Sequence, residues 1–572
     1  MKTIFLIVAG LLLISCQPSR SVRGEHKRTV YSLNGTWQFL ASNEIGDEST
    51  LGANYESWDT LRVPGNWDTR DRYAKYVGKG FYQRSFTPPK SWKGKQVHLK
   101  FGAVYQASKV WVNGQLLGQH IDGYLPFEYN ITDVLDWDQA NSVVVMADNT
   151  YRRGAWWAWG GISREVYLEA NEEVRIVYQH VSAIPDFEHG KVDFSLSYKV
   201  ENKGSKALTT KIHPKIPGAE LEPITLRIDG NSVAETQMTF QQQLSSFKLW
   251  NVDSPVLYPL ISELKIEGQI HDVASDKFGI RKFEVRGEQF FLNDEPVRMN
   301  GINRIHDHPH YGNTEPDHLV QADMLDIKSL GCNFARLMHA PLSKNLLNFC
   351  DSVGFMIVEE IPVWGDDDPQ AFPHNPLTKD WLRMMIERDF NHPCVVAWSV
   401  GNELRNPEGE WTEKAMTGDQ YGYVNSMLDY VDSLDTTRLK TYVTITAYRQ
   451  GQIGSEPYEK LDFISMNSYG NAVLEAQQTH DKFPGKPIFI SEIGKRQIGP
   501  APSSRLSEDL VEYLRKLKEF PWITGVSLWS YNDYRSNYRG TPESGFREWG
   551  IVDEHRNKKV AYQQLKKVYQ EW

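Results

Sequence analysis

The sequence predicts three domains in series: an N-terminal β jelly-roll sandwich, an immunoglobulin-like β-sandwich and a C-terminal (β/α)8 TIM barrel. Three observations carry this. Short alternating strands separated by turn signals fill residues 29–170, as they do in sandwiches and jelly rolls. Val192, Phe194, Leu196, Tyr198 and Val200 form an unbroken period-2 row inside residues 171–277, a stretch whose size suits a small immunoglobulin-like sandwich. From 278 to 572, short apolar runs alternate with helical patterns, the rhythm of a parallel βα fold. Three domains also fit a chain of 572 residues at about 150 residues per domain.

Composition narrows the class. Hydrophobic residues make up 40% and charged residues 24%, ordinary globular usage that argues against a disordered or fibrous chain. The net charge is −10 with no basic stripe, which makes nucleic acid a poor partner. Residues 1–15 differ: Lys2 precedes an apolar run over 4–14 that is too short to span a bilayer and reads as a signal peptide. Leu13-Ile14-Ser15-Cys16 resembles a bacterial lipobox. The expectation is therefore lipidation at Cys16, a linker over 16–28, and a chain anchored by its lipid outside the cytoplasm, in the periplasm or at the cell surface. The remaining Cys332, Cys350 and Cys394 are odd in number and lie in apolar segments, so buried free thiols are expected. No Cys/His spacing typical of a metal site surrounds them.

Within the first domain, Val97, Leu99 and Phe101 alternate with polar residues, and Val110-Trp111-Val112 runs into Asn113-Gly114, the favoured pair for a tight hairpin. Residues 142–147 and 166–168 read as further strands. The second domain is assigned a spacing or packing role. The third contains eight apolar runs, at 297–303, 332–339, 355–361, 395–401, 439–446, 463–467, 487–492 and 523–529. They are nearly continuous, as parallel strands buried on both faces should be. Between them lie helix candidates such as 503–520, with Leu506, Leu510, Leu514 and Leu517 on one face.

Active sites of such barrels lie at the C-terminal ends of the strands. The fourth run leads into Asn402-Glu403 and the seventh ends in Ser491-Glu492. Each carboxylate follows a buried apolar run, where a structural Glu would need a partner to offset desolvation. The two stand 89 positions apart, close to three βα units, so they can face each other across one cavity. One protonated and one ionised carboxyl support hydrolysis of an acetal, and a separation of about 5–5.5 Å makes the ionised one a nucleophile. Two structural ion pairs are the alternative.

Phe278-Gly279-Ile280-Arg281, Phe291–Val297, Asn300–Arg304, Asn391-His392-Pro393, Trp398–Glu403 and Phe489–Gly494 together closely resemble glycoside hydrolase family 2, the family of β-galactosidases, β-glucuronidases and β-mannosidases. Leu33–Trp37 and Val63–Trp67 look like its sugar-binding domain. The resemblance implies that Glu403 is the acid/base, Glu492 the nucleophile and Asn402 the partner of the sugar 2-hydroxyl. It also implies that Asn467 and Tyr469 serve the site, Tyr469 by positioning the nucleophile, that Trp529 floors the sugar, and that His339 lines the pocket. Arg336 is left between a structural role beneath the site and sugar contact.

The run Arg304–His310 could suggest a metal cluster, but is expected to be the loop after the first strand. No metal and no organic cofactor is expected. Asp307 occupies the position of a substrate-binding Asp in glucuronidases of the family. Trp529–Tyr534 resembles the glucuronidase strand end, and the chain closes after the barrel without the extra domains of the large galactosidases. These points favour a uronic acid. Against it, the glucuronidase Asn-x-Lys pair is missing from Phe546–Gly550, leaving Arg547, Arg535, Arg539 or Lys495-Arg496 to meet a carboxylate. Gly401-Asn402-Glu403 is also nearer the galactosidase wording. The expected function is thus a retaining exo-β-glycosidase acting on oligosaccharides from polysaccharide breakdown, a β-glucuronidase before a β-galactosidase. The alternative of another class is a non-catalytic surface glycan-binding protein. The Trp156–Trp159 cluster is expected at the mouth of the site. Homo-oligomer formation is left open.

Overall fold

The computed structural model describes residues 28–337, 339–408, 416–445 and 457–572. The signal segment, Cys16 and nearly all of the 16–28 linker lie outside the described residues.

Two antiparallel sheets build the first domain. Thr29–Ser32, Val166–Asn171, Gln96–Phe101 and Phe127–Asn130 form one; the other orders Asp59–Val63, Gly35–Ala41, Lys79–Phe86, Asn141–Asp148, Ala107–Val112 and Gln115–Ile121. Trp37, Phe39, Trp67, Tyr82, Leu99 and Val145 fill the space between them. The Asn113-Gly114 hairpin forms as expected, both residues taking positive φ (51° and 81°), which this pair adopts at little cost. In the second domain a three-stranded and a four-stranded sheet pack face to face. The row from Val192 to Val200 lies on the strand Lys191–Asn202 and points wholly into the core.

The barrel closes from eight parallel strands in sequence order: Met299–Asn303, Phe334–Arg336, Met356–Glu360, Val395–Asn402, Leu439–Thr444, Ile464–Ser468, Ile488–Ile493 and Ile523–Trp529. Every apolar run of the third domain contains a strand, shorter than the run at 332–339, where it is Phe334–Arg336, and every residue from Val395 to Asn402 and from Ile523 to Trp529 is buried. Covering by helices outside and side chains inside explains why these runs are continuous rather than alternating. The first run differs in its start. Val297 ends a three-stranded meander, Phe283–Arg286, Gln289–Leu292 and Glu295–Val297. Phe283, Phe290 and Leu292 of this meander pack against Met299, Phe334, Met356 and Phe489. Among the described residues seven helices flank the barrel, and the expected helix at 503–520 is shorter, Glu508–Leu517.

Cys332, Cys350 and Cys394 are free and buried. Spacing gave no reason to group Cys394 with a histidine, yet Asp351, His392 and Cys394 gather with potential ligand atoms within 4.8 Å of one another. Asp351 spends one oxygen on His392 Nδ1 (2.5 Å) and the other on the Cys394 amide (3.0 Å). This cluster belongs to the clasp between domains. Asn391 accepts from the Val181 amide and donates to the Gln179 carbonyl, both at 2.8 Å. Trp250 Nε1 donates to the Asp351 carbonyl at 2.8 Å.

Candidate active site

Glu403 and Glu492 stand at the ends of strands four and seven and are linked through Asn467, Asn402 and Arg336. Glu403 follows the fourth strand with φ at 53°, a left-handed turn that a Glu adopts only where surroundings compel it. Its Oε1 accepts from Asn467 Nδ2 at 2.8 Å, and Arg405 stands 3.6 Å from Oε2. Burial first, and the charge of Glu492 second, push its carboxyl above the ordinary value; Arg405 and Asn467 oppose this. Glu492, at 2% exposure, accepts from Arg336 Nη1 at 2.6 Å and from the Tyr469 hydroxyl. The two glutamates therefore differ in kind of partner: one is beside a neutral amide and a more distant cation, the other in direct contact with a guanidinium.

The sites expected from sequence gather around this pair. Asn402 Oδ1 accepts from Arg336 (3.0 Å) and Asn467 (3.1 Å), and Ser491 Oγ holds the Asn467 oxygen at 2.8 Å. The Asn402 amide carbonyl is thereby fixed, and its nitrogen faces His339 Nε2 at 3.3 Å. His339 lies parallel to Trp529, ring centroids 5.8 Å apart. Trp529 Nε1 donates to the Tyr534 hydroxyl at 3.2 Å. Asp307 stands one layer out. Its Oδ2 accepts from Trp159 Nε1 at 2.7 Å, while its Oδ1 is buried without a hydrogen-bond partner among the described residues. Burial raises its carboxyl to about 6, with the Trp159 donor pulling the other way.

Arg336 resolves to a positioning role: fully buried, it pairs with both Glu492 and Glu360. Glu360 was not singled out by the sequence reading. Burial pushes its carboxyl up, but Arg336 and His339 prevail and hold it below the ordinary range. Ser399 Oγ donates to it at 2.5 Å. Trp156, Tyr534 and Trp549 were missed as well, or seen only as a cluster. Together with Trp529, Ile305 and Tyr469 they form one apolar, largely aromatic group at the site. Trp156 comes from the jelly-roll domain, so the Trp156–Trp159 segment does reach the mouth. Trp157 is fastened to Asp68 through Nε1 at 2.8 Å. The histidines of the first loop scatter: His306 turns towards Tyr124 and Trp156, while His308 packs on Tyr311.

The arrangement joins a buried carboxyl whose proton affinity is raised to a second carboxyl group fixed by cation and phenol, the kind of pair that acetal hydrolysis requires. Family models agree. One for the glycosyl hydrolases family 2 TIM barrel domain matches residues 283–572, half of the chain. Those for the family 2 sugar binding domain and for glycosyl hydrolases family 2 match 30–171 and 174–281.

The chain belongs to glycoside hydrolase family 2.

Within glycoside hydrolase family 2 its relatives are of two kinds. It is 26% identical over 80% of its length to a β-galactosidase of Bacteroides ovatus, of which it spans 58%. It is 24% identical over 94% of its length to the β-glucuronidase of Streptococcus agalactiae, of which it spans 96%. Among solved structures it shares its fold with Bacteroides uniformis β-glucuronidase 2 covalently bound to cyclophellitol-6-carboxylate aziridine. The TM-score is 0.83 at 24% identity, covering 95% of this chain and 70% of that one.

Proposed function

We propose that this family 2 protein is a retaining exo-β-glycosidase that removes terminal sugars from oligosaccharides, with β-glucuronides as its first substrates. The carrying observation is the asymmetry of Glu403 and Glu492. Glu403, its hold on the proton strengthened by burial and by the neighbouring charge, donates that proton to the leaving oxygen as Glu492 attacks the anomeric carbon. Glu403 then takes a proton from water, which displaces Glu492 and frees the sugar with retained configuration. Asn402, fixed through its oxygen, offers its amide to the 2-hydroxyl, a contact that strengthens as oxocarbenium charge develops. Tyr469 holds the nucleophile, Trp529 floors the ring, and His339 and Asp307 bind hydroxyls. The covalent ligand on the Bacteroides uniformis enzyme supports a glycosyl-enzyme route.

Arg547 supports the uronic acid. It stands where the Asn-x-Lys pair is missing, 5.9 Å from the ring of Trp549, whose edge meets Tyr469. Its Nη1 donates to the Arg539 carbonyl at 3.0 Å, and its Nε is buried without a hydrogen-bond partner among the described residues. A half-buried guanidinium with a free N–H gains from a charged hydrogen-bond partner, at most the roughly 1.5–3 kcal/mol typical of charged hydrogen bonds. The β-galactosidase relatives and the Gly401-Asn402-Glu403 wording favour the second reading, a β-galactosidase. The same proposal places the protein outside the cytoplasm, held to a membrane through lipid on Cys16.

The test is release of 4-nitrophenol from β-glucuronide, β-galactoside, β-mannoside, β-glucoside and α-L-arabinopyranoside. Glucuronide cleavage is expected, abolished in Glu492→Ala and slowed about 10²–10⁴-fold in Glu403→Ala, the usual worth of a general acid. Cleavage of the galactoside alone transfers the assignment to β-galactosidase. Glycan binding with no cleavage of any substrate would instead make this a surface binding protein.

A further inference from the structure

Residues of the jelly-roll domain (149–152, 157 and 158), of the loop after the third strand (364, 366 and 367) and of the loop after the eighth (537 and 538) enclose a cleft of about 460 Å³. Its floor is bonded to the acid side of the site. The Gly365 amide donates to the Asn402 carbonyl and the Arg405 amide to the Gly365 carbonyl, both at 3.0 Å. The Arg405 guanidinium covers Trp364 at 5.5 Å and stands 3.6 Å from Glu403 Oε2. A leaving group departs on the side of the residue that protonates it, so this cleft lies where the second sugar of a substrate would sit. Trp364 and Tyr538 meet edge to face at 5.5 Å in its wall, and such rings offer flat apolar area to a sugar's C–H face.

Charge in the cleft is unevenly settled. Asp366 pairs with Arg405 at 3.0 Å, and Asp367 with Arg153 at 3.6 Å and the Tyr151 hydroxyl. Arg152 has no such partner: its Nη1 donates to Asn537 Oδ1 at 3.0 Å and its carbon lies 5.0 Å from the Tyr538 ring centroid. Its Nε is buried without a hydrogen bond, and no carboxylate pairs with it among the described residues. Arg539 and Arg547 approach the same tyrosine ring at 5.4 and 5.7 Å. Three guanidiniums around one phenol concentrate positive potential at one spot of a chain whose net charge is −10. A partly buried cation without a counter-charge is a site for an anion.

We propose that this cleft receives the leaving-group sugar and that Arg152 binds an anionic substituent on it, a carboxylate or a sulfate ester. The proposal rests on the glycosidase reading and extends it from the terminal sugar to its neighbour: the enzyme acts on acidic oligosaccharides.

The experiment uses the full chain and three disaccharides, methyl glycosides with glucose, glucuronic acid or glucose 6-sulfate as the second unit. Each carries the terminal sugar that the aryl panel shows to be cleaved, or β-glucuronosyl if none is. In the wild type the acidic compounds are expected to exceed the neutral one about tenfold in kcat/KM, the size of one charge-assisted hydrogen bond. The better of the two identifies carboxylate or sulfate. Arg152→Gln should bring the acidic-to-neutral ratio close to one and Arg152→Lys should keep part of it. Asn537→Asp, at an exposed position, leaves the arginine in place but supplies a counter-charge, and should depress the ratio similarly. A folding defect lowers all three substrates together and does not move the ratio. No acidic preference in the wild type, or a preference that survives both Arg152→Gln and Asn537→Asp, overturns the proposal. If no glycoside is turned over, the glycosidase reading fails by itself. The same ratios, read as dissociation constants by calorimetry, then decide the cleft.

Discussion

At Glu403 burial and the charge of Glu492 act in the same direction, and both favour the protonated carboxyl. That has a consequence for stability. With its folded pKa raised above the unfolded one, the folded state keeps a proton that the unfolded chain has released. Stability therefore falls as pH climbs from the unfolded towards the folded pKa, and the loss persists above it. Glu403→Gln imitates the protonated form and removes this cost. Its melting temperature should exceed that of the wild type at pH 7–8, and the difference should shrink as pH drops towards 4. Thermal unfolding across that range checks it; a gap that widens on acidification would contradict the assignment. Catalysis slows in the same variant, as expected where a site holds a group against its preference. Residue-scale chemistry was partly legible. Glu403 and Glu492 show in the sequence because each ends a run that could not otherwise tolerate a carboxylate. Glu360 lies beside Glu359 within the run 355–361, and only the fold shows which of the two meets Arg336. Arg336 lies inside a strand, and only the fold shows that it stands between two carboxylates.

Elements were legible where burial imposes a period. The eight barrel strands and the Val192–Val200 row follow directly from which faces are covered. The meander from Phe283 to Val297 was not, since strands of three or four residues leave no period to detect. Irregular segments are harder still: in 151–160 a tryptophan cluster signals importance, but not which ring goes where. Trp156 enters the aromatic group, Trp157 binds Asp68, and Trp159 donates to Asp307. The last contact gives this loop a measurable effect. The Asp307 carboxyl, already at about 6 through burial, is stabilised as an anion by the indole N–H. Trp159→Phe removes that donor, so the pKa should rise. If ionised Asp307 accepts from a substrate hydroxyl, KM at pH 6 should increase about fivefold, the worth of a hydrogen bond of about 1 kcal/mol. At pH 8, where the carboxyl is ionised in both proteins, the two should approach each other. Measuring KM and kcat at both pH values separates this from lost packing, which would raise KM equally at each.

At the scale of the molecule the three domains share their working parts. Trp381 Nε1 of the barrel donates to the Ile121 carbonyl of the jelly roll at 2.7 Å. Arg281 reaches the carbonyls of Pro393 and Val395 at 2.9 and 2.5 Å. Trp156, Trp159 and Arg152 complete a site whose carboxylates lie in the barrel, so the jelly roll is part of the catalytic body. Arg28 is fastened to Asp272 at 2.6 Å and to the Ile176 carbonyl at 2.5 Å. From Cys16 to this fastening runs a dozen residues, a reach of about 40 Å when fully extended. Acyl chains hold by about 0.8 kcal/mol per buried methylene. Among the described residues no helix is long and apolar enough to cross a bilayer. Cys16→Ser should shift the protein from the membrane to the soluble fraction with kcat/KM on the cleaved aryl glycoside unaltered. Fractionation followed by assay of both pools reads this directly, and a variant that stays with the membrane would place the attachment elsewhere in the chain.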